Sequence, residues 1–201
     1  ISSGMLVKSG FTNLYRHLAS KPGSLILYGH RVTGDDEGYL QGISPDDFED
    51  QIAYLKANYR VLRLSELVNL IRNSKEVPDN SVVLTFDDGF KDNFTCAMPI
   101  LLKYDMPATI FVTTGCITSG QLPWSQQLGY IFQNTRDQVF LSSFGGQVTL
   151  PIQSKMQRRH AYSYVKRFIA DMVHMERQDE IQKLSQQLSV ILPEDRMMDW
   201  D

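Results

Sequence analysis

The chain has 201 residues, 42% of them hydrophobic and 21% charged, with a formal net charge of −3. This is the make-up of an ordinary soluble globular protein with one sizeable core, and it carries no stripe of Lys and Arg interleaved with aromatics, so it offers no footprint for nucleic acid. Cys96 and Cys116 form neither a disulfide framework nor a zinc-type Cys-x-x-Cys pair and read as small buried hydrophobes, which leans towards a reducing compartment.

The start, Ile1-Ser2-Ser3-Gly4-Met5, has no charged n-region and apolar h-region, and no run of eighteen apolar residues occurs, so a cytoplasmic protein with no membrane span is expected. Met5 reads as a natural start, and a processed N-terminus is equally compatible. Phe11 to Ala19 reads as a short helix with Leu14 and Leu18 on one face and His17 on the surface. Ser24 to Tyr28 reads as the first core strand, with His30 at its C-terminal end, and Thr33 to Ile43 as a polar loop above it. Ser44-Pro45-Asp46-Asp47 is a helix start: Ser44 caps, Pro45 takes the first helical position, and Asp47 complements the helix N-terminus. Phe48, Ile52 and Leu55 form that helix's buried face. A brief strand over Val61 to Leu64 leads to Ser65 as a second cap and a helix with Leu67, Leu70 and Ile71 inward.

The next stretch, Val82-Val83-Leu84-Thr85-Phe86-Asp87-Asp88-Gly89, is β-branched and apolar, fenced upstream by Pro78, Asp79 and Asn80, and reads as a buried parallel strand. Apolar burial is favourable at about 25 cal/mol per Å², whereas an uncompensated carboxylate beside a core is expensive, so the two acids belong just past the strand, at its C-terminal mouth. Ligands of α/β sheets bind there. Because successive residues point to opposite sides and Gly89 lets the backbone turn at once, Asp87 and Asp88 can serve different targets. A plain turn with Asp87 as a helix cap is the competing reading. A phosphatase-type Asp-x-Asp nucleophile needs its acids two positions apart, and these are neighbours.

Asn93 to Tyr104 reads as a helix with Phe94, Met98, Leu101 and Leu102 as its core side, kinked or delayed by Pro99. Ala108 to Thr113 is the next strand, whose end, Thr114-Gly115-Cys116, points at the same mouth. From Gly120 the character changes: a helix from Pro123-Trp124-Ser125 to Phe132, a hairpin from Gln138 to Leu150 around Gly145-Gly146, then two helices, Ser154 to Met175 and Asp179 to Ile191. The first of these carries Tyr162, Val165, Phe168, Ile169 and Met172 at helical spacing. Trp124 can either stack on a sugar or pack in a core.

Thr85-Phe86-Asp87-Asp88-Gly89 resembles the first motif of the polysaccharide deacetylases, the family four carbohydrate esterases of NodB homology. Leu25-Ile26-Leu27-Tyr28-Gly29-His30-Arg31-Val32 resembles that family's first strand, and Pro107-Ala108-Thr109-Ile110-Phe111-Val112 the strand after the motif. The resemblance implies an α/β fold, a partial or distorted (β/α) barrel with a helical and hairpin insertion. Residues 5–119 would be the N-terminal part of the barrel, and 120–201 the inserted subdomain leading towards a remainder. The activity implied is hydrolysis of N-acetyl, less often O-acetyl, groups of a polysaccharide or glycan with the help of a divalent metal, zinc foremost. By residue-to-residue match Asp87 resembles the catalytic base and Asp88 a metal ligand, with His30, Thr85 and Gly89 lining the site.

The family's other ligands are two histidines at i and i+4, and its general acid is a later histidine. Besides His17 and His30 this chain has only His160 and His174, which on one helix would stand about 21 Å apart. Weak or no metal affinity is therefore expected of these 201 residues alone. Two explanations compete: an N-terminal part of a longer enzyme, or a catalytically inactive carbohydrate-binding or scaffold relative. The strand count favours the first, since four core strands, near residues 26, 62, 84 and 110, fall short of the roughly eight of a closed barrel. A half-covered core then predicts self-association or domain exchange.

Overall fold

The computed structural model describes residues 24–34, 42–194 and 196–199. The expected helix over Phe11 to Ala19, with His17, and most of the loop between Thr33 and Ile43 lie outside the described residues. In chain order the elements are β1 (Ser24–Gly29), α1 (Pro45–Asn58), β2 (Arg60–Val61), α2 (Leu64–Arg72), β3 (Ser81–Phe86), a π-helical turn (Asn93–Ala97) continuing into α3 (Met98–Lys103), β4 (Thr109–Ile110) and α4 (Thr114–Ser119). Then come α5 (Trp124–Asn134), the hairpin β5 (Val139–Ser142) and β6 (Val148–Pro151), α6 (Lys155–Ile169) and α7 (His174–Gln187).

The four early strands form one parallel sheet with β3 at its centre. On one side β1 pairs along the whole of β3, from Ser24 opposite Ser81 to Gly29 opposite Phe86. On the other side β2 takes the start of β3 at Ser81 and Val82, and β4 takes its end at Thr85 and Phe86. All of β3 is buried, as an uninterrupted apolar strand between two neighbours requires. The register sorts the side chains by face. Leu25, Leu27, Val61, Val82, Leu84, Phe86 and Ile110 join Phe48, Ile52 and Leu55 of α1 and Ile100 and Leu101 of α3 in one cluster. Val83 faces the other way and packs with Leu62 and with Leu67 of α2. Helices α1 and α3 thus lie on one face of the sheet, and α2 lies on part of the other. A partial or distorted barrel is the expectation; among the described residues the mixed helix and strand layers are present and the four strands form a sheet that does not close, with β3 pairing on both edges.

Local chemistry explains most boundaries. Ser44 caps α1 by accepting from the Asp47 N–H at 3.1 Å, and Phe48, Ile52 and Leu55 are its buried residues. At α2 the cap is displaced: the helix opens at Leu64, with Arg63 rather than Ser65 as cap residue, and Glu66 Oε2 accepts the Arg63 N–H at 2.7 Å. Leu67 is buried, and Ile71 is exposed rather than inward. The helix around Pro99 also departs from expectation. Pro99 lacks an N–H and would press on a preceding carbonyl, and the wide π turn accommodates it while rotating the following face. Ala97, Ile100 and Leu101 become the buried residues, and Phe94, Met98 and Leu102 are left exposed.

The second half has its own core. Leu128, Ile131 and Phe132 of α5 meet Phe140 and Leu150 of the antiparallel hairpin, Val165 and Ile169 of α6, and Ile181 and Leu184 of α7. Helix α6 begins with Ser154, whose hydroxyl accepts the Gln157 N–H at 3.2 Å. It ends at Ile169, and α7 begins at His174, earlier than the spacing suggested. Arg177 accounts for the break, donating to the carbonyls of Ile169 at 2.9 Å, of Ala170 at 2.8 Å and of Met172.

Candidate active site at the sheet mouth

The ladder between β1 and β3 carries on past the strands, with the Asp87 N–H donating to the Gly29 carbonyl at 2.9 Å. In this register His30 follows Gly29 at the same end at which Asp87 follows Phe86, so the imidazole-bearing residue and the two acids share the C-terminal mouth. From the other side the Thr113 N–H donates to the Asp88 carbonyl at 3.1 Å, and the Thr113 hydroxyl lies 3.5 Å from Asp88 Oδ1. The mouth is therefore built from the ends of β1, β3 and β4. Asp87 and Asp88 are half-buried, and His30 is exposed with its ring edge-on to Tyr28 at 6.2 Å.

The turn that presents the acids is strained. Asp88 has φ +73° and Gly89 φ +77°, two left-handed residues in succession, tolerated by Asp and natural for Gly. Gly89 is needed for space as well, because a Cβ there would stand 3.0 Å from Val112 Cγ1. Behind the turn an extended segment near the C-terminus closes on it: Met198 N–H donates to the Gly89 carbonyl at 2.9 Å and Lys91 N–H to the Arg196 carbonyl at 3.0 Å. Phe90 and Met197 bridge antiparallel and pack with Leu122 and Cys116. Cys116 stands near the acids as the strand end suggested; burial, and then the Asp88 charge, push its thiol up, so it sits as a neutral thiol. Thr85 is buried and its hydroxyl donates to the Leu27 carbonyl at 3.3 Å, an inter-strand tie below the mouth.

The mouth also holds a buried ion pair that the sequence pattern does not single out. Arg31 and Asp92 are both buried, with Arg31 Nε donating to Asp92 Oδ2 at 2.6 Å and Val32 N–H to Asp92 Oδ1 at 3.3 Å. The Arg31 guanidinium also lies 5.2 Å over the Phe90 ring. Burial raises the Asp92 carboxyl above its usual range, with Arg31 pulling the other way. The signal available in the sequence was a pair of opposite charges next to His30 and just past Gly89, each beside apolar neighbours that would bury it.

Trp124 is drawn into the second core, with the Arg177 guanidinium 4.7 Å from its ring centroid, so the packing alternative describes its surroundings. His160 lies in α6 and His174 opens α7, so they do not share the single helix that set their expected separation; both are exposed. Among the described residues no three His, Cys, Asp or Glu side chains come together as an ion's ligand set. A catalytic divalent ion takes about three protein ligands, so these residues do not by themselves fit one. No helix among the described residues is long and apolar enough to cross a membrane.

Residues 74–138 match the polysaccharide deacetylase family. Among curated proteins, the poly-beta-1,6-N-acetyl-D-glucosamine N-deacetylase of Escherichia coli (strain K12) is 37% identical over 45% of this chain and 14% of its own length. The enzyme of the same name from Staphylococcus epidermidis is 31% identical over 56% of this chain and 39% of its own. The chain thus spans well under half the length of these relatives. Among solved structures, the Streptococcus pyogenes deacetylase PplD in complex with acetate overlaps at a TM-score of 0.41, with 30% identity over 54% of this chain and 52% of that one. IcaB from Ammonifex degensii overlaps at 0.46, with 20% identity over 86% and 72%.

Proposed function

We propose, for a chain that carries part of a polysaccharide deacetylase domain, that its sheet mouth is the acid-bearing portion of a site that removes acetyl groups from an amino-sugar polysaccharide. The observation that carries this reading is the pair Asp87 and Asp88, held by backbone bonds to β1 and β4 at the end of the buried central strand. The reaction is hydrolysis of a non-peptide C–N bond. Asp87 takes a proton from the attacking water as general base, the oxygen adds to the acetyl carbonyl carbon, and the C–N bond of the adduct breaks as that proton passes to the leaving amine and acetate is released. His30, across the register from Asp87, lines the same mouth.

Asp88 is proposed as one oxygen donor to a divalent ion, zinc foremost, whose other donors would have to come from outside the described residues. The relatives named for poly-beta-1,6-N-acetyl-D-glucosamine make that polymer the first substrate to try. Residues 120–201 are proposed as an inserted subdomain beside this site. The test is acetate release from the polymer by the full-length protein. Release supports the deacetylase; its absence, with saturable binding of the polymer, would move the reading to a catalytically silent carbohydrate binder.

A further inference from the structure

Two observations set the buried polar groups behind the mouth apart from ordinary core. The first is the Arg31–Asp92 pair, joined at 2.6 Å and almost fully buried. The second is Asn93, next to it and buried, whose amide nitrogen and oxygen both lack a hydrogen-bond partner among the described residues. Neither is a cheap way to stabilise a fold. A buried ion pair roughly breaks even against well-packed apolar residues, and an unpaired buried amide costs about 1–3 kcal/mol. Polar groups retained at such cost need another reason.

Their connections supply one. Arg31 directly follows His30, and the Val32 N–H donates to the same Asp92 carboxylate, so both residues after His30 are tied to Asp92. Asp92 in turn stands three residues past Gly89, on the segment that leaves the Asp87-Asp88 turn, and Phe90 between them lies under the Arg31 guanidinium. The strand ladder ends at the Asp87–Gly29 bond, and the segment just past His30 is held by the Asp92 bonds and, on its other edge, by the Ile43 N–H donating to the Arg31 carbonyl at 3.1 Å.

We propose that Arg31 and Asp92 are a positioning pair, a buried strut that sets His30 at the end of β1 against Asp87 and Asp88 at the end of β3. The strut acts through His30 and the turn and touches no reacting atom. The kinetic consequence rests on the deacetylase reading above; the structural consequence does not. Asp92→Asn keeps an oxygen for the Arg31 N–H, and Arg31→Lys keeps the charge while losing the two-sided guanidinium, so both preserve volume and disturb the geometry.

In the full-length protein each variant should unfold within a few degrees of wild type, and its His30 ring resonances should move in NMR spectra. For acetate release, kcat should fall about tenfold to a hundredfold with KM little changed, the scale expected when a catalytic geometry slips by about an ångström. Unchanged His30 resonances in the folded variants overturn the proposal whatever the rate does. Failure of both variants to fold also overturns it, since the pair would then be a stability element. If wild type releases no acetate, the deacetylase reading fails and the His30 resonances still decide the strut.

Discussion

Helices α5, α6 and α7 with their hairpin bury Leu128, Ile131, Phe132, Val165 and Ile169 completely, whereas the parallel sheet leaves Ile26 52%, Tyr28 70% and Phe111 50% exposed. By register Ile26 and Tyr28 stand beside Val83 and Thr85, on the face of which α2 covers only the part around Val83. The half that carries the acids leaves part of an apolar sheet face uncovered, whereas the other half buries a continuous core and exposes its remaining apolar side chains, Leu141, Met175 and Ile191 among them, outside that core. Backbone bonds and the buried Arg31–Asp92 pair hold the mouth, whereas side-chain packing, tied by Arg177 to three carbonyls, holds the helical half.

If the two cores are independent, Phe132→Ala, which removes a fully buried ring packed edge-on to Phe140 at 5.3 Å, should cost about 3–5 kcal/mol. Amide hydrogen exchange should then quicken across α5–α7 and stay slow in β3. Equal quickening in β3 would make the two cores one cooperative unit. Next in size, Asp92→Ala removes the carboxylate that the buried Arg31 guanidinium donates to and should cost about 3 kcal/mol in urea denaturation.

The pH dependence of that site has a definite sign. Because burial raises the Asp92 pKa, the folded chain holds this proton more tightly than the unfolded chain does. The Asp92 contribution is fully present below the ordinary carboxylate range and fades as pH rises through the raised value. Asp92→Asn should lack that slope, and a wild-type-like slope in the variant would assign it to another group.

A smaller and matched pair compares the halves directly. Ser44→Ala and Ser154→Ala remove the same kind of cap bond, to the N–H of Asp47 and of Gln157, and should each cost about 1 kcal/mol. A loss confined to one of them would show that only that helix is coupled to the global transition. Least costly is Tyr28→Ser on the exposed sheet face, which should change stability by no more than about 0.5 kcal/mol while reducing self-association measured by sedimentation. Unchanged association would remove that face as an interface between copies.

What the sequence showed and what it hid divide along physical lines. Ser44 with Phe48, Ile52 and Leu55, and the buried β3 ending in two acids, were legible because capping and periodicity are local. The face of α3 was not, because one wide turn before Pro99 shifts every later residue around the axis. Strand order was hidden as well: β1, β2 and β4 all read as core strands, yet nothing in their residues says that all three pair with β3. The Arg31–Asp92 strut joins residues 61 apart and belongs to the same class of information.

The two adjacent acids of the mouth are proposed to do different work. The measurement that tests this most directly is bound metal per protein alongside acetate release, for Asp87→Asn and Asp88→Asn of the full-length protein. Asp87→Asn should abolish turnover with metal retained, whereas Asp88→Asn should weaken metal binding itself. Equal loss of metal in both variants, or wild-type turnover in Asp87→Asn, would contradict that division of work.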